Sequence, residues 1–345
     1  MSHSWTTQSL PKSDPPEIPA QYRNALRELD DVPAIQLVRA ATPVENMSRL
    51  RSALGGGPRL LVKRDDAIPF GFGGNKIRKL QLVAAAAVDA SADVLVTVGG
   101  IQSNHARATA AVAAKLGMRC LIIANGAAPE RVTANALLDQ LLGADVEYIS
   151  SREERAPALA AAVARLQRAG QKPFAIPLGA STPLGALGFV RAVGELLTQT
   201  APPSMIVHAA SSGGTQAGLV AGCALYGLST RVIGVSADDA AADIALKVHD
   251  LVRGVGDSLG VEGDALASVH SIEVDDQQVG DGYGIPSDAS REAQRLAARN
   301  EALFVDHTYT AKALAALIAR VRDGQFRDDE TILFWHTGGQ VGLFA

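Results

Sequence analysis

Cysteine and aromatic residues are scarce in this chain of 345 residues. The two cysteines, Cys120 and Cys223, each lie in an apolar run without a second cysteine or a histidine at metal-binding spacing, so both are predicted to be buried free thiols. The absence of a disulfide framework suits a reducing compartment, and a cytoplasmic location is expected. Aromatic residues make up only 4% of the chain, so a tyrosine in a glycine-rich loop is a candidate functional group.

The sequence also lacks a strong excess of either charge and any long hydrophobic run. The formal net charge is −4, from 32 basic and 36 acidic residues, which argues against binding to nucleic acid or to a membrane surface through general charge. No run reaches the roughly 18 apolar residues of a membrane helix. Residues 1–19 lack the apolar core of a signal peptide, and their proline and serine content predicts a loose extension. The histidines are scattered without HExxH or clustered spacing, so no metal site is predicted.

Short apolar runs alternate with helix-length segments along most of the chain. Runs that are apolar on both faces are typical of parallel strands covered by helices. The predicted strands are Val94–Val98, Cys120–Ala124, Val146–Ile149, Pro173–Pro177, Met205–His208, Val232–Val235 and Ile332–Trp335. The predicted helices are Ile77–Ala90, Ala106–Leu116, Arg131–Leu142, Pro157–Ala169, Leu187–Leu197, Gln216–Leu225, Arg291–Asn300 and Lys312–Asp323. Pro157 is predicted at a first helical position, and Gly117, Gly143 and Gly170 at left-handed caps.

The predicted strands fall into two groups, before and after about residue 185. This grouping predicts an α/β protein with two lobes, and residues 177–188, rich in Gly, Pro and Ser, form the predicted crossing between them. An eight-stranded βα barrel is the alternative architecture. The strand spacing is less regular than a barrel requires, and residues 258–283 have no place in one.

Residues 71–81, GFGGNKIRKLQ, place a glycine-rich turn before a helix that opens with Lys76, Arg78 and Lys79. The positive end of a helix dipole repels a lysine at this position. One interpretation is an ordinary surface charge that the helix tolerates. The other is a partly buried Lys76 whose pKa is lowered by the dipole, Arg78 and Lys79, so that a neutral amine can attack a carbonyl.

The Ser103 loop, residues 99–105, runs from a predicted strand through two glycines and a polar cluster into a helix. Backbone N–H groups and the helix dipole converge there, an arrangement that suits a carboxylate. Ser103, Asn104 and His105 are the candidate binding residues. The simpler interpretation is that Ser103 or Asn104 only caps the helix.

The Ser212 loop, residues 211–215, has the same strand–loop–helix order and includes Ser212, Gly213, Gly214 and Thr215. Its glycines would let backbone amides approach a phosphate, although a plain capped turn remains the alternative. Neither a Gly-Lys-Ser/Thr ending nor a GxGxxG pattern is present. A small phosphorylated cofactor is therefore favoured over ATP.

Tyr283 and Tyr309 lie in predicted loops, although burial in the core is the plain alternative. The GxSxG pattern of nucleophile-elbow hydrolases is absent. A reactive lysine, a carboxylate loop and a phosphate loop together fit pyridoxal phosphate and an amino-acid substrate.

Together these stretches resemble the fold-type II pyridoxal-phosphate enzymes that include D-cysteine desulfhydrase, 1-aminocyclopropane-1-carboxylate (ACC) deaminase and L-cysteate sulfo-lyase. The motifs are KRDD…GGNKxRKL, GGxQSNHxRxTAAxAAKLGM, the Ser/Gly/Thr loop, GYGxP, YT and LFWHTGG, from about Thr42 to the end. The resemblance implies two open, twisted, mostly parallel sheets flanked by helices, as in tryptophan synthase β. It also implies a homodimer with an N-terminal extension (1–41), a large cofactor-binding domain (42–78 and 187–345) and a small α/β domain (79–186).

The resemblance further implies roles at the lysine and at the Ser103 loop. Lys76 would form the covalent bond to the cofactor and then move the α-proton of the substrate. Ser103, Asn104 and His105 would hold the substrate carboxylate, with Asn104 also near the 3-hydroxyl of the cofactor.

At the other end of the cofactor, the resemblance implies that Ser212 to Thr215 bind the phosphate with help from Lys79. Tyr283 and Tyr309 would line the substrate side and exchange protons with the substrate or its leaving group.

Thr310 separates the members of this family. ACC deaminases have a glutamate there that contacts the pyridine nitrogen, and they usually have glutamine at the position of His105. A hydroxyl cannot stabilise a pyridinium as a carboxylate does, so the weaker electron sink favours expulsion of a β-leaving group. The resemblance thus implies α,β-elimination on a small β-substituted amino acid such as D-cysteine. ACC deaminase, a relative with a specialised biosynthetic substrate and a non-enzymatic cofactor-binding protein are the alternatives.

Overall fold

The structure is a computed structural model that describes residues 10, 11, 14 and 16–345. The loose extension predicted for residues 1–19 lies mostly outside the described residues. The ten strands of the described part are β1 Val44–Asn46, β2 Arg59–Arg64, β3 Val94–Gly100, β4 Arg119–Asn125, β5 Asp145–Ile149, β6 Pro173–Ile176, β7 Met205–Ala210, β8 Arg231–Ser236, β9 Glu273–Asp275 and β10 Thr331–His336. The α-helices are α1 Arg23–Asp31, α2 Ser48–Ala53, α3 Asn75–Asp89, α4 Asn104–Leu116, α5 Ala134–Leu141, α6 Arg155–Arg168, α7 Pro183–Leu197, α8 Gly214–Leu225, α9 Ala241–Ser258, α10 Gly263–Ala267, α11 Asp288–Glu301 and α12 Thr310–Arg322.

The strands form two separate sheets, as the sequence predicts. The larger sheet has the order β1-β2-β10-β7-β8-β9, and all its neighbours are parallel except β1 with β2. The smaller sheet has the order β5-β4-β3-β6 and is entirely parallel. The predicted α/β class with two open, mostly parallel sheets is confirmed, and the barrel alternative is wrong.

Helices cover both faces of each sheet because the strands are apolar on both sides. In β7, Ile206 faces the cluster built on α7, α8 and α9, while its neighbour Val207 faces the cluster built on α12. In β3, Leu95 packs with α3 and α4, and Val96 packs with α6. Parallel strands buried on two faces read as continuous apolar runs, which is how the sequence identified them.

The predicted elements are present, with small shifts of their ends. Gly117, Gly143 and Gly170 adopt the predicted left-handed conformation, with φ of 69°, 74° and 78°. The prediction for Pro157 is wrong, because α6 begins at Arg155 and the proline is its third residue. Seven elements are not predicted from the sequence: β1, β2, β9, α1, α2, α9 and α10.

Both cysteines are free and buried, as predicted. Within the part of the chain that the structure describes, no helix has the length and apolarity needed to cross a membrane. The same part contains no group of three or more His, Cys, Asp or Glu side chains arranged to hold a metal ion.

Helix α3, which carries Lys76, lies directly against α7. A Cβ atom at Gly188 would be 2.3 Å from the carbonyl oxygen of Arg78. Only glycine lets the two backbones come this close. The position of Lys76 therefore depends on the packing of α3 against α7.

A buried ionic cluster also holds α3 in place. Arg78 donates to both carboxylate oxygens of Asp65 at 2.8 Å and to Glu195 at 2.9 Å. Lys63 is also paired with Glu195, and the indole N–H of Trp335 donates to Asp65 at 2.8 Å. The cluster joins β2, α3, α7 and β10. Trp335 is fully buried in this cluster.

Candidate active site

A cleft opens between the two sheets at the carboxyl ends of their strands, where ligands bind in open α/β folds. Its empty volume is about 1030 Å³, including solvent at the mouth. The predicted site residues that line it are Lys76, Ser103, Asn104, His105, Ser212, Gly213, Thr215, Tyr283 and Tyr309. The other three, Lys79, Gly214 and Thr310, are buried behind this lining.

Lys76 stands at the second residue of α3. Gly73 and Gly74 precede the helix with φ of 69° and 96°, and a Cβ at Gly73 would meet the Asp66 carbonyl oxygen at 2.6 Å. The amine of Lys76 has no hydrogen-bond partner among the described residues, and burial lowers its pKa to about 8. The expected lowering of the Lys76 pKa by Arg78 is not supported, because the guanidinium of Arg78 points into the ionic cluster.

Asn75 links this lysine to the rest of the cleft. Its backbone N–H donates to the Thr337 carbonyl at 2.9 Å, and its side chain donates to Thr215 Oγ1 at 2.9 Å. The start of α3 is thus tied both to the segment after β10 and to the Ser212 loop.

The Ser212 loop is packed so tightly that side chains are excluded from it. Gly213 has φ of 83°, and a Cβ at Gly214 would meet Ser181 Oγ at 2.7 Å and Lys79 Nζ at 2.9 Å. Ser181 Oγ contacts Ser212 Oγ at 2.8 Å and accepts from the Gly214 N–H at 3.2 Å. The loop ends at the start of α8, where backbone N–H groups favour an anion.

Lys79 lies directly under this loop. Its amine donates to the Gly179 carbonyl at 3.1 Å and to Ser181 Oγ at 3.2 Å. Burial, together with the charge of Lys76, lowers its pKa well below the usual value. An anion bound on the Ser212 loop would favour the charged form of Lys79.

The Ser103 loop occupies the end of β3. Ser103 Oγ accepts from the Ala106 N–H at 3.2 Å, so this serine caps α4 and also lines the cleft. A Cβ at Gly99 would meet Ser103 Oγ at 2.6 Å. Asn104 Oδ1 accepts from Asn135 Nδ2 at 2.9 Å, which fixes the orientation of its side chain.

His105 is buried in its neutral form. Thr97 Oγ1 donates its only proton to the Ile176 carbonyl, so at 2.8 Å it accepts from His105 Nε2. The Nδ1 atom therefore carries a lone pair, and it has no partner among the described residues. Burial and the charges of Lys76 and Lys79 lower the pKa of this histidine well below its usual value.

The two loop tyrosines meet in the cleft. Their hydroxyl oxygens are 2.5 Å apart, and their rings contact edge to face. Desolvation of the hydroxyl end raises the pKa of Tyr283, although 43% of the residue is exposed. Burial together with Tyr283 raises the pKa of Tyr309 well above the usual value. Both phenols therefore keep their protons at neutral pH and can act as proton donors.

Thr310 lies next to this pair but faces inward. Its hydroxyl donates to Asp306 Oδ1 at 2.6 Å and accepts from the Asp306 N–H at 2.9 Å. Contact between Thr310 and the pyridine nitrogen of the cofactor stays a prediction.

Several residues of the cleft are not predicted from the sequence, among them Asn125, Arg152, Arg155 and His208. His208 donates from Nδ1 to the Ala209 carbonyl, and burial lowers its pKa to about 4. Asn125 is the last residue of β4, and Arg152 and Arg155 follow β5. The carboxyl ends of parallel strands lie along one edge of the sheet, so this rule, applied to every predicted strand, would have identified these three residues.

The residues of the cleft fit a small phosphorylated aldehyde. A lysine amine without a partner and of lowered pKa shares the cleft with a glycine cradle at a helix start and with a second anion loop. An amine that can condense with an aldehyde, beside a loop that suits a phosphate, is the arrangement that such a cofactor requires.

The chain belongs to the pyridoxal-phosphate-dependent enzyme family, whose sequence profile matches residues 35–338. It is similar to D-cysteine desulfhydrase of Serratia proteamaculans, with 38% identity over 331 residues that cover 93% of this chain and 98% of that protein. The crystal structure of an ACC deaminase homologue has a TM-score of 0.85 at 33% identity, covering 93% of this chain and 96% of the other. Threonine deaminase isoform 2 from Solanum lycopersicum, with a TM-score of 0.67 at 18% identity over 96% and 95% of the two chains, shares the fold. The predicted family and the predicted cofactor, pyridoxal phosphate, are confirmed.

Proposed function

We propose that this enzyme is a lyase that carries out α,β-elimination on a small β-substituted amino acid, in the manner of D-cysteine desulfhydrase. The amino acid and one water would give pyruvate, ammonium, the leaving group with its bonding electron pair, and a proton. The main support is one cleft that holds the unpaired Lys76 amine, the Ser103 loop and the paired phenols of Tyr283 and Tyr309. The similarity to D-cysteine desulfhydrase over most of the chain favours this reaction among those of the family.

The residues that would hold the cofactor are Lys76 through its amine and Ser212 to Thr215 through the phosphate. Lys79, under the Ser212 loop, would add a positive charge. When bound, pyridoxal phosphate supplies the electron-withdrawing system that makes the substrate α-proton acidic.

The remaining work belongs to side chains of this chain. The start of α4 with Ser103 would bind the substrate carboxylate, since N–H groups and a positive dipole end converge there. Lys76, with a pKa of about 8, is suited to accept the α-proton near neutral pH. Tyr283 and Tyr309 would deliver a proton to the leaving group, because burial keeps both phenols protonated.

ACC deaminase is the second candidate, supported by the 33% identity to a structure described as an ACC deaminase homologue. Against it, threonine stands at position 310, and its hydroxyl is already bonded to Asp306. Opening a cyclopropane ring has no ordinary leaving group to drive it, so it should need a stronger electron sink than a hydroxyl provides.

A substrate panel tests the proposal. D- and L-cysteine, β-chloroalanine, cysteate and ACC are supplied to the reconstituted enzyme, and 2-oxo acid formation is measured. Pyruvate from a β-substituted amino acid is expected. No turnover of any of them would refute elimination, and 2-oxobutyrate from ACC would establish the deaminase instead. In the same preparation, Lys76→Ala should abolish the borohydride-trapped adduct between chain and cofactor.

The domain division stated above, with a large domain of residues 42–78 and 187–345 and a small one of residues 79–186, is part of this proposal. The cytoplasmic location and the homodimer also belong to this proposal, and light scattering on the purified protein would test the homodimer.

A further inference from the structure

Arg155 is a positive charge in the cleft that the proposed elimination does not use. It is the first residue of α6, it is partly buried, and it lines the cleft. Its Nε donates to Asn125 Oδ1 at 2.8 Å, and its Nη2 donates to the same oxygen. An amide oxygen fixes the guanidinium but does not neutralise it, and no carboxylate among the described residues lies within ion-pair distance of it.

The neighbouring Arg152 provides a contrast. It also lines the cleft, but it is paired with Asp238 and lies 3.8 Å from Asp239. Its guanidinium sits 6.0 Å from the ring centre of Tyr283. Arg155 is also near the tyrosine pair, since its charge acts to lower the pKa of both phenols. The charge of Arg152 is thus balanced by protein groups, whereas that of Arg155 is not.

The register of the small sheet places Arg155 relative to the Ser103 loop. Asn125, which holds the guanidinium, pairs with Gly100 of that loop across the β3–β4 ladder. Adjacent strands are about 4.8 Å apart. The guanidinium is therefore held one strand nearer to the β5 edge than the proposed carboxylate site, on the side of the tyrosines.

We infer that Arg155 binds an anionic group on the β-substituent of the substrate, so that the preferred substrates carry a carboxylate or sulfonate on the leaving group. This inference rests on the proposed elimination. A guanidinium presents several N–H donors in one plane and pairs well with an oxyanion. Since Asn125 accepts the Nε N–H and one Nη2 N–H, the second Nη2 N–H and both Nη1 N–H groups remain to bind the substrate. The second anion of the substrate would offset the charge that the protein leaves unpaired.

Two substrates with the same carbon–sulfur skeleton test the inference. S-Carboxymethylcysteine ends in a carboxylate and S-ethylcysteine ends in a methyl group, and pyruvate formation is measured for both enantiomers of each. Wild-type kcat/KM should favour the carboxymethyl compound by about tenfold or more. A hydrogen bond to a charged group strengthens binding by about 10- to 100-fold. Arg155→Gln should therefore lower kcat/KM for S-carboxymethylcysteine by about this factor, mainly by raising KM. Turnover of S-ethylcysteine should change by less than about threefold, and Arg155→Lys should restore part of the loss.

The matched control is Arg165→Gln, on the same helix, where the arginine is exposed and paired with Glu147. This variant should leave both substrates unchanged. An equal loss on both substrates in Arg155→Gln would overturn the inference, because Arg155 would then serve the common part of the substrate. Absence of any wild-type preference would overturn it as well.

A binding measurement separates this inference from the proposed reaction. 2-Aminoadipate and norleucine match the two substrates in shape but have no leaving group, and calorimetry on the holoenzyme gives their Kd values. 2-Aminoadipate should bind about tenfold more tightly, and Arg155→Gln should remove the difference. If this holds while no β-substituted amino acid is turned over, the elimination is wrong and the anion subsite is supported. If elimination proceeds but neither the kcat/KM preference nor the Kd preference depends on Arg155, only the anion subsite is wrong.

Discussion

Among the single residues of the cleft, Lys76 has the clearest dependence on pH. Burial lowers its pKa to about 8 from the 10.5 of an ordinary lysine, and only the neutral amine can attack the cofactor aldehyde. Its neutral fraction falls about tenfold for each pH unit below 8. The rate of cofactor uptake by the apoprotein, followed by near-visible absorbance, should therefore rise with pH and level off above about pH 8. A rise that continues to pH 10 would contradict this, and Lys76→Arg should give no such absorbance.

The tyrosine pair provides a second residue-scale prediction. Tyr283 and Tyr309 are expected to act on the leaving group, while Lys76 moves the α-proton. Tyr309→Phe should therefore lower kcat for pyruvate formation by about 10²-fold, while exchange of the substrate α-proton with deuterated water continues. Tyr148→Phe, at an exposed position outside this cleft, is the control. Parallel loss of exchange and elimination would mean that the phenol serves the first proton transfer.

At the scale of elements, the contact between α3 and α7 sets the position of Lys76. Gly188→Ala would place a Cβ atom 2.3 Å from the Arg78 carbonyl oxygen, and the helices must separate. We expect a loss of about 3 kcal/mol in the free energy of unfolding and a shifted cofactor absorbance. Gly117→Ala, where φ is 69° and no atom lies within 4 Å of the added Cβ, should cost only about 1 kcal/mol and leave the spectrum unchanged. Equal effects of the two variants would argue against the helix contact.

The elements that the sequence reading missed share a physical cause. Strand β2 reads as charged because it contains Lys63, yet that lysine is fully buried and bonded to Glu195 and Gln199. Hydrogen bonds to residues more than 100 positions away allow this polar residue to be buried in the core, and the local sequence pattern does not reveal such partners. Helix α9 was missed for a related reason, since its interior glycines, Gly254 and Gly256, weaken the helical signal. A Cβ at either would come within 3.0 Å of another segment.

At the scale of the whole molecule, the ionic cluster around Arg78 ties α3, which also packs on the small sheet, to β2, α7 and β10 of the large sheet's side. Burial would raise the pKa of Glu195, but Arg78 and Lys63 outweigh it and lower that pKa from 4.5 to about 2. The folded pKa lies below the unfolded one, so Glu195 stabilises the fold fully above about pH 4.5 and loses this effect as the pH falls toward 2. Glu195→Gln should cost about 3–5 kcal/mol at pH 7.

Urea unfolding at pH 7 and at pH 3 measures this effect. The difference between wild type and Glu195→Gln should be smaller at pH 3, because the unfolded chain then binds a proton at Glu195 that the folded protein, with a pKa of about 2, does not hold. Glu147→Gln, which removes an exposed ion pair with Arg165, should cost less than about 1 kcal/mol at either pH. A difference for Glu195→Gln that does not change with pH would contradict the assigned pKa.

The site was predictable to the extent that its residues follow local rules. Lys76, Ser103 and Ser212 each stand where a glycine-rich turn meets a helix, and this pattern can be read from neighbouring residues. Asn125 and Arg155 have no such local mark, because only the order β5-β4-β3-β6 brings them together beside the cleft. Sequence therefore predicted the cleft residues at the starts of α3, α4 and α8 better than those at the ends of β4 and β5.

The strand order of the large sheet has a consequence for synthesis of the chain. Strand β2 is made early, but its parallel neighbour β10 is made late, and their contact through Asp65 and Trp335 spans 270 positions. Until β10 emerges, β2 has no parallel partner, and Asn75 lacks the Thr337 carbonyl to which its N–H donates. The nascent polypeptide consequently displays Lys76 long before the pocket around it exists, and that pocket can form only after β10 and Thr337 have been synthesised.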